Sequence, residues 1–180
     1  MHLYHIAFLL AAFFGSTLTT NIIKWGKKLW SERGFVIIKR LKKTANVHGI
    51  LKQTGEYLKA NRVAIISYTD GHATMIYEWV DEPRKAIKDR FVNINSSSIA
   101  PMLLELQEHG SVVINQKTND EIALIHMVIN INTSYKYKLY KSITEGCLVV
   151  AFEDERVLTE DEINFIKDQI VTLKLLRLKP

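Results

Sequence analysis

Asp70 and His72 are the pair in this 180-residue chain whose types and spacing most suggest acid/base chemistry. Placed on either side of Gly71, a carboxylate can set an imidazole to take or give a proton near neutral pH. The same stretch, Thr69-Asp-Gly-His72, also reads as a tight turn, because Asp-Gly supplies the positive φ that a two-residue hairpin loop needs. Turn geometry accounts for both residues without a reaction, so a small enzyme built on Asp70 and His72 stands as an alternative only. The single cysteine, Cys147, lies in the apolar run CLVVAF and reads as a small core residue before a nucleophile. It also excludes an internal disulfide framework. His48, His109 and His126 lack the paired spacing of a metal site. No P-loop, dinucleotide-binding glycine pattern or G-x-S-x-G is present. The expectation is therefore a protein that is not an enzyme and that holds no metal and no cofactor.

Charge is distributed in a way the net value of +5 hides. Residues 1–23 carry no Lys, Arg, Asp or Glu, and Leu3 to Ile23 is an uncharged stretch of 21 residues. At about 1.5 Å per residue that length reaches across the roughly 30 Å of bilayer hydrocarbon, which predicts a transmembrane helix over 1–23. Lys24 to Lys43 then holds eight basic residues against Glu32 alone, for +7, while Thr44 to Pro180 carries −2. A positive block confined to the edge of an apolar segment points to anionic headgroups, whereas a nucleic-acid binder spreads its charge over the folded surface. Lys24, Trp25, Lys27, Lys28, Trp30 and Arg33 are the expected membrane-interface residues, the tryptophans forming an aromatic belt. The positive-inside rule then places the C-terminal domain on the cytoplasmic side of a single-pass inner or plasma membrane protein. A cleaved signal peptide is the rival reading, and the absence of basic residues before the apolar run argues against it.

Behind this span, residues 24–47 read as a basic juxtamembrane stalk, and Gly26, Gly34, Gly49 and Gly55 argue against one unbroken helix through the region. Residues 48–180, at a composition of 47% hydrophobic residues chain-wide, suffice for one soluble domain. His48 to Ala60 has helical spacing, and Arg62 to Tyr68 is β-rich. Ala73 to Val80 is the return strand of the hairpin. Glu82 to Lys88 reads as a short charged helix and Phe91 to Ile94 as a weak strand. Ser98 is placed to cap a helix from Ile99 to Glu108 that Gly110 stops. Ser111 to Asn115 is a strand, Lys117 to Asp120 a polar loop, and Glu121 to Ile131 fits helix or strand equally. Tyr135 to Tyr140 alternates as a strand whose tyrosines either pack or form a homotypic interface, and Cys147 to Phe152 is a central strand. Thr159-Glu-Asp-Glu162 is a capping box that opens a last helix through Leu176. The fold class expected is α+β, an antiparallel sheet with helices on one face.

That order resembles a GAF domain, a sheet-and-helix relative of PAS domains. The likeness runs from about His48 to Arg177 and is carried by ANRVAIISYTDG, ATMIYEWV and GCLVVAFEDERVLTEDEINFIKDQI. The arrangement with an N-terminal span is also similar to small phage-encoded anchored GAF-like proteins. The resemblance implies a small-ligand sensor or a dimerisation unit, with a protein partner or a second copy as its other contact. By the same resemblance the ligand-pocket candidates are Asp70, His72, Trp79, Asn95 to Ser98, Tyr137 and Tyr140. The chain departs from the family where ligand identity would be read, since no cysteine stands where bilin-binding relatives attach a chromophore and no cyclic-nucleotide signature is evident. A holin-like lysis or membrane-remodelling protein remains the competing class, suggested by the Gly15 and Ser/Thr-rich second half of the span.

Overall fold

The computed structural model describes residues 39–115, 131–139 and 146–176. The predicted transmembrane helix, the interface residues Lys24 to Arg33, most of the stalk, Tyr140 and the ambiguous 121–130 segment lie outside the described residues. Among the described residues no helix is long and apolar enough to cross a membrane. Met1–Thr44 and Ala45–Pro180 form two separate compact units.

Helix α1 covers 39–58 and runs through both Gly49 and Gly55, so the expected glycine break is absent there. The reason at Gly55 is tertiary: a Cβ at that position would sit 1.8 Å from the Trp79 ring. The helix accepts the roughly 1 kcal/mol propensity penalty of glycine because the missing side chain lets an indole dock against its backbone.

Among the described residues, six strands make one antiparallel sheet in the order β3-β2-β1-β6-β5-β4. β1 (Arg62–Thr69) and β2 (His72–Val80) form the expected hairpin, with Asp70 at φ 51° and Gly71 at φ 75°, the two positive angles of a type I′ turn. β3 is Ile94–Asn95 only. β4 (Ser111–Asn115) and β6 (Cys147–Phe152) match their predicted bounds, and β5 is Thr133–Lys138. The central pair, β1 with β6, is buried along almost its whole length, as continuous apolar runs require.

Helices cover both faces of this sheet, which corrects the one-face expectation. α1 and α3 (Glu160–Leu175) pack one face, around Val47, Leu51, Leu58, Val63, Ile65, Leu148, Val150, Phe152, Ile166 and Leu173. The Thr159–Glu162 capping box opens α3 as predicted. Tyr135 and Tyr137 belong to this core, so the described part of the tyrosine stripe is packed rather than exposed. The second face carries α2 (Ala100–His109), which buries Met102 and Leu106 against Val112, Ile114, Ile66 and Val149. The one-face reading failed because α2 shows only a thin apolar stripe, and because the residues that β5 turns toward it are polar.

Two local expectations also change. The charged helix over Glu82 to Lys88 is absent, and that segment is irregular up to a single 3-10 turn at Lys88–Arg90. The N-cap of α2 is Ile99, preceded by a 3-10 turn at Ser97–Ile99, and no side chain caps it. The Ser98 side chain itself lies outside the described set.

Candidate functional site: a cavity beneath α2

The face under α2 is lined at its centre by small side chains. Ala64 on β1 stands opposite Val149 on β6, and Arg62 stands opposite Ala151. With little bulk rising from these strands, the covering elements leave a cavity of about 60 Å³. A β-bulge between Ile65 and Ile66 shifts the register of β2, so that Met75 pairs with Ile66 and enters the cavity wall in place of Ile76. The opposite wall comes from Ile87 and Phe91 of the 81–93 segment and from Ile99 at the start of α2.

A buried ion pair and a further buried charge lie around this space. Arg62 and Glu78 form an ion pair at one end, and both side chains are buried. The Glu78 carboxylate also accepts hydrogen bonds from the backbone N–H groups of Ile87, at 2.9 Å, and Lys88, at 2.8 Å, while Arg62 donates to the Lys85 carbonyl. This network ties the irregular 81–90 segment down onto the sheet and holds Ile87 in the cavity wall. Burial lowers the Arg62 guanidinium from its usual range, and nearby Arg84 adds to that shift.

The other charge is Lys136. β5 turns Tyr135 and Tyr137 to the α1/α3 face, and therefore turns Ser134 and Lys136 to the cavity face. The Lys136 side chain is buried, and its Nζ lies 3.2 Å from Met102 Sδ. A thioether is a weak acceptor. None of the ion pairs among the described residues involves Lys136. Burial pushes its ammonium down to about 8, opposed in part by the neighbouring Cys147. Cys147 is itself buried and shares a 3.4 Å contact with the Tyr68 hydroxyl, and burial raises both groups above their ordinary values.

The residues proposed from sequence fall elsewhere. Asp70, His72 and Asn95 do come together, at the turn end of the β1–β2 hairpin, where His72 pairs with Asn95 across the β2–β3 ladder. The contacts there are mainly to backbone. His72 Nδ1 reaches the Asp70 carbonyl at 2.9 Å, Ser96 N–H donates to the Gly71 carbonyl, and Ser97 N–H donates to Asn95 Oδ1. No Asp70 carboxylate to His72 ring hydrogen bond forms, and none of the three lines the cavity. Trp79 and Tyr137 sit on the α1/α3 face, separated from the cavity by the sheet. No cluster of three or more His, Cys, Asp or Glu residues able to hold a metal occurs among the described residues.

Sequence reasoning passed over Lys136 because alternation in Tyr-Lys-Tyr-Lys reads as a wet face. The signal against that reading was present in CLVVAF, a run that needs cover on both faces and so demands the same of its neighbour β5.

An antiparallel six-stranded sheet with this strand order, flanked by α1 and α3 on one side and on the other by α2 and by a cavity between the sheet, the 81–93 segment and the start of α2, is the fold of a GAF domain. The cyanobacteriochrome receptor PixJ superimposes with a TM-score of 0.62 at 14% identity, over 77% of this chain and 96% of that one. The phycoerythrobilin-bound GAF domain of a cyanobacterial phytochrome superimposes at 0.61 and 16% identity, over 81% and 91%. A GAF domain/HD domain protein from Geobacter sulfurreducens does so at 0.59 and 10% identity, over 74% and 90%. No family model and no curated protein matches the sequence.

Proposed function

We propose that this chain is a membrane-anchored, non-catalytic GAF-like module that binds a small ligand in the cavity beneath α2. The observation that carries the reading is the cavity itself: a concave, mainly apolar space with a few convergent polar groups, which is the usual make-up of a ligand site. The bilin bound by one of the structures similar to it supports a ligand-binding role by analogy of fold. Occupancy is passed to a protein partner or a second copy of the chain, because no element of the described residues offers a catalytic arrangement. The anchor rests on the uncharged Leu3 to Ile23 stretch and the basic collar from Lys24 to Lys43, which orient the domain toward the cytoplasm and its anionic headgroups. The span-plus-domain plan also supports the likeness to small phage-encoded proteins.

Two experiments test this. Carbonate extraction is expected to leave the chain with the membrane fraction, and release into the soluble fraction overturns the anchor. Ala64→Leu fills the cavity from the floor. Metabolites that raise the melting temperature of the full-length protein should lose their effect in this variant, and equal shifts in both proteins would move the ligand site elsewhere.

A further inference from the structure

The cavity beneath α2 has one feature that its role as a binding space does not by itself require. Lys136 projects a primary amine into an apolar wall, nearly all of its surface buried, with a thioether sulfur as its one hydrogen-bond contact among the described residues. The other buried charges are already matched: Glu78 is held by Arg62 and two backbone N–H groups, and Arg62 is held by Glu78 and a backbone carbonyl. A buried ammonium without a carboxylate is costly unless something supplies the missing negative charge.

Resting on the reading of this cavity as the ligand site, we propose that its ligand is a short-chain carboxylic acid bound as the anion, its carboxylate paired with Lys136 and its hydrocarbon end among Ile66, Met75 and Phe91. Three observations fix the class. The sign follows from Lys136, among the described residues the one charged group in the wall without an ion-pair partner. A single point-like ammonium suits a monoanion, whereas a phosphate dianion calls for several donors, and the neighbouring guanidinium is committed to Glu78. The size follows from the volume: about 60 Å³ corresponds to roughly four to six waters, so the ligand has about that many non-hydrogen atoms. The apolar residues around the rest of the space favour a hydrocarbon end over a second polar one. The lowered proton affinity of Lys136 agrees with this picture, since a carboxylate beside the ammonium offsets the burial that lowers it.

Calorimetric titration of the full-length protein in nanodiscs at pH 7 tests the proposal with isobutyrate, isobutyramide, isobutanol and nitrate. Isobutyrate is expected to bind at least tenfold more tightly than its neutral amide or nitrate. In Lys136→Met the acid should lose that advantage while isobutanol binds as before. Equal binding of acid and amide in the wild type overturns the carboxylate class and leaves the cavity as a ligand site, a result that needs no variant. Nitrate binding as tightly as isobutyrate overturns it too, as does full retention of acid binding in Lys136→Met. Failure of all four probes in both proteins overturns the inference together with the cavity reading.

Discussion

The two faces of the sheet are made from alternate residues of the same strands, and they are finished in opposite ways. The α1/α3 face takes the bulk: Leu148, Val150 and Phe152 from β6 meet Leu51, Leu58, Ile166 and Leu173, and Trp79 closes onto the glycine in α1. The α2 face takes Ala64, Ala73 and Ala151, together with Arg62, Glu78, Ser134 and Lys136. One side is filled and apolar, as an interior built for stability should be. The other keeps a void and buried charge, both of which reduce stability and both of which a ligand can use. The division of labour is therefore inscribed at a period of two, one residue for the filled core and the next for the proposed site.

The largest effect that would break this comparison comes from the filled face. Phe152 is buried, with Tyr135 edge-on to it at 6.2 Å and the Arg156 guanidinium 4.9 Å above its ring. Phe152→Ala should cost about 3–5 kcal/mol in chemical denaturation. Met75→Ala, which enlarges a space that already exists, should fall near 2 kcal/mol, the low end for such a truncation. Equal losses at the two positions would mean that the faces share one packing regime.

Lys136 sharpens the contrast through the sign of its effect. Without ligand, Lys136→Met should raise stability at pH 7 by roughly 2 kcal/mol, because it removes a buried unpaired charge. Since the folded-state value of about 8 lies below the ordinary 10.5, the unfolded chain binds more protons between them. The penalty is fully present below pH 8 and is relieved as pH rises toward 10.5. The groups that act on Lys136 are Cys147 from β6 and Met102 from α2, with Tyr68 in contact with that thiol and the paired Arg62 elsewhere in the same cavity wall. Cys147, held protonated, acts the other way above about 9, so the readout is the difference in denaturation slope between wild type and variant. A variant that melts lower at pH 7 would show that Lys136 is paired in the folded protein.

The smallest effect concerns the α1 contact. Gly55→Ala gains helix propensity but drives a methyl group into the Trp79 ring, for a net loss of about 1–2 kcal/mol. Adding Trp79→Leu should make the same Gly55→Ala change neutral or favourable, and a double-mutant cycle without coupling would remove the indole from that contact.

What could be read from the residues alone follows the same line. The Asp70-Gly71 turn, the bounds of β4 and β6 and the Thr159–Glu162 cap are local devices, each fixed by a few neighbouring residues, and all stand as predicted. α1 through Gly55, the burial of Lys136 and the irregular 81–90 segment depend on residues far away in the chain, Trp79, Met102 and the Arg62–Glu78 pair. The cavity escaped for the same reason: it is an absence of side-chain volume, produced where small residues from three strands, Ala64, Ser134 and Ala151, meet, and no stretch of sequence encodes it alone. The candidates chosen near the hairpin were polar and turn-forming, the traits of an exposed loop, whereas the cavity wall is strand backbone carrying apolar residues.

The pairing of β1 with β6 has a consequence in time. Arg62 finds its partner only at Ala151, and every contact of the central pair spans a comparable length of chain. On a ribosome the β1–β2 hairpin emerges first and must wait, its inner apolar edge open, while the intervening residues are made. Closure of such a distant pair is slow compared with hairpin formation. The nascent domain therefore passes through an interval in which the inner edge of its central strand stays unpaired until β6 arrives.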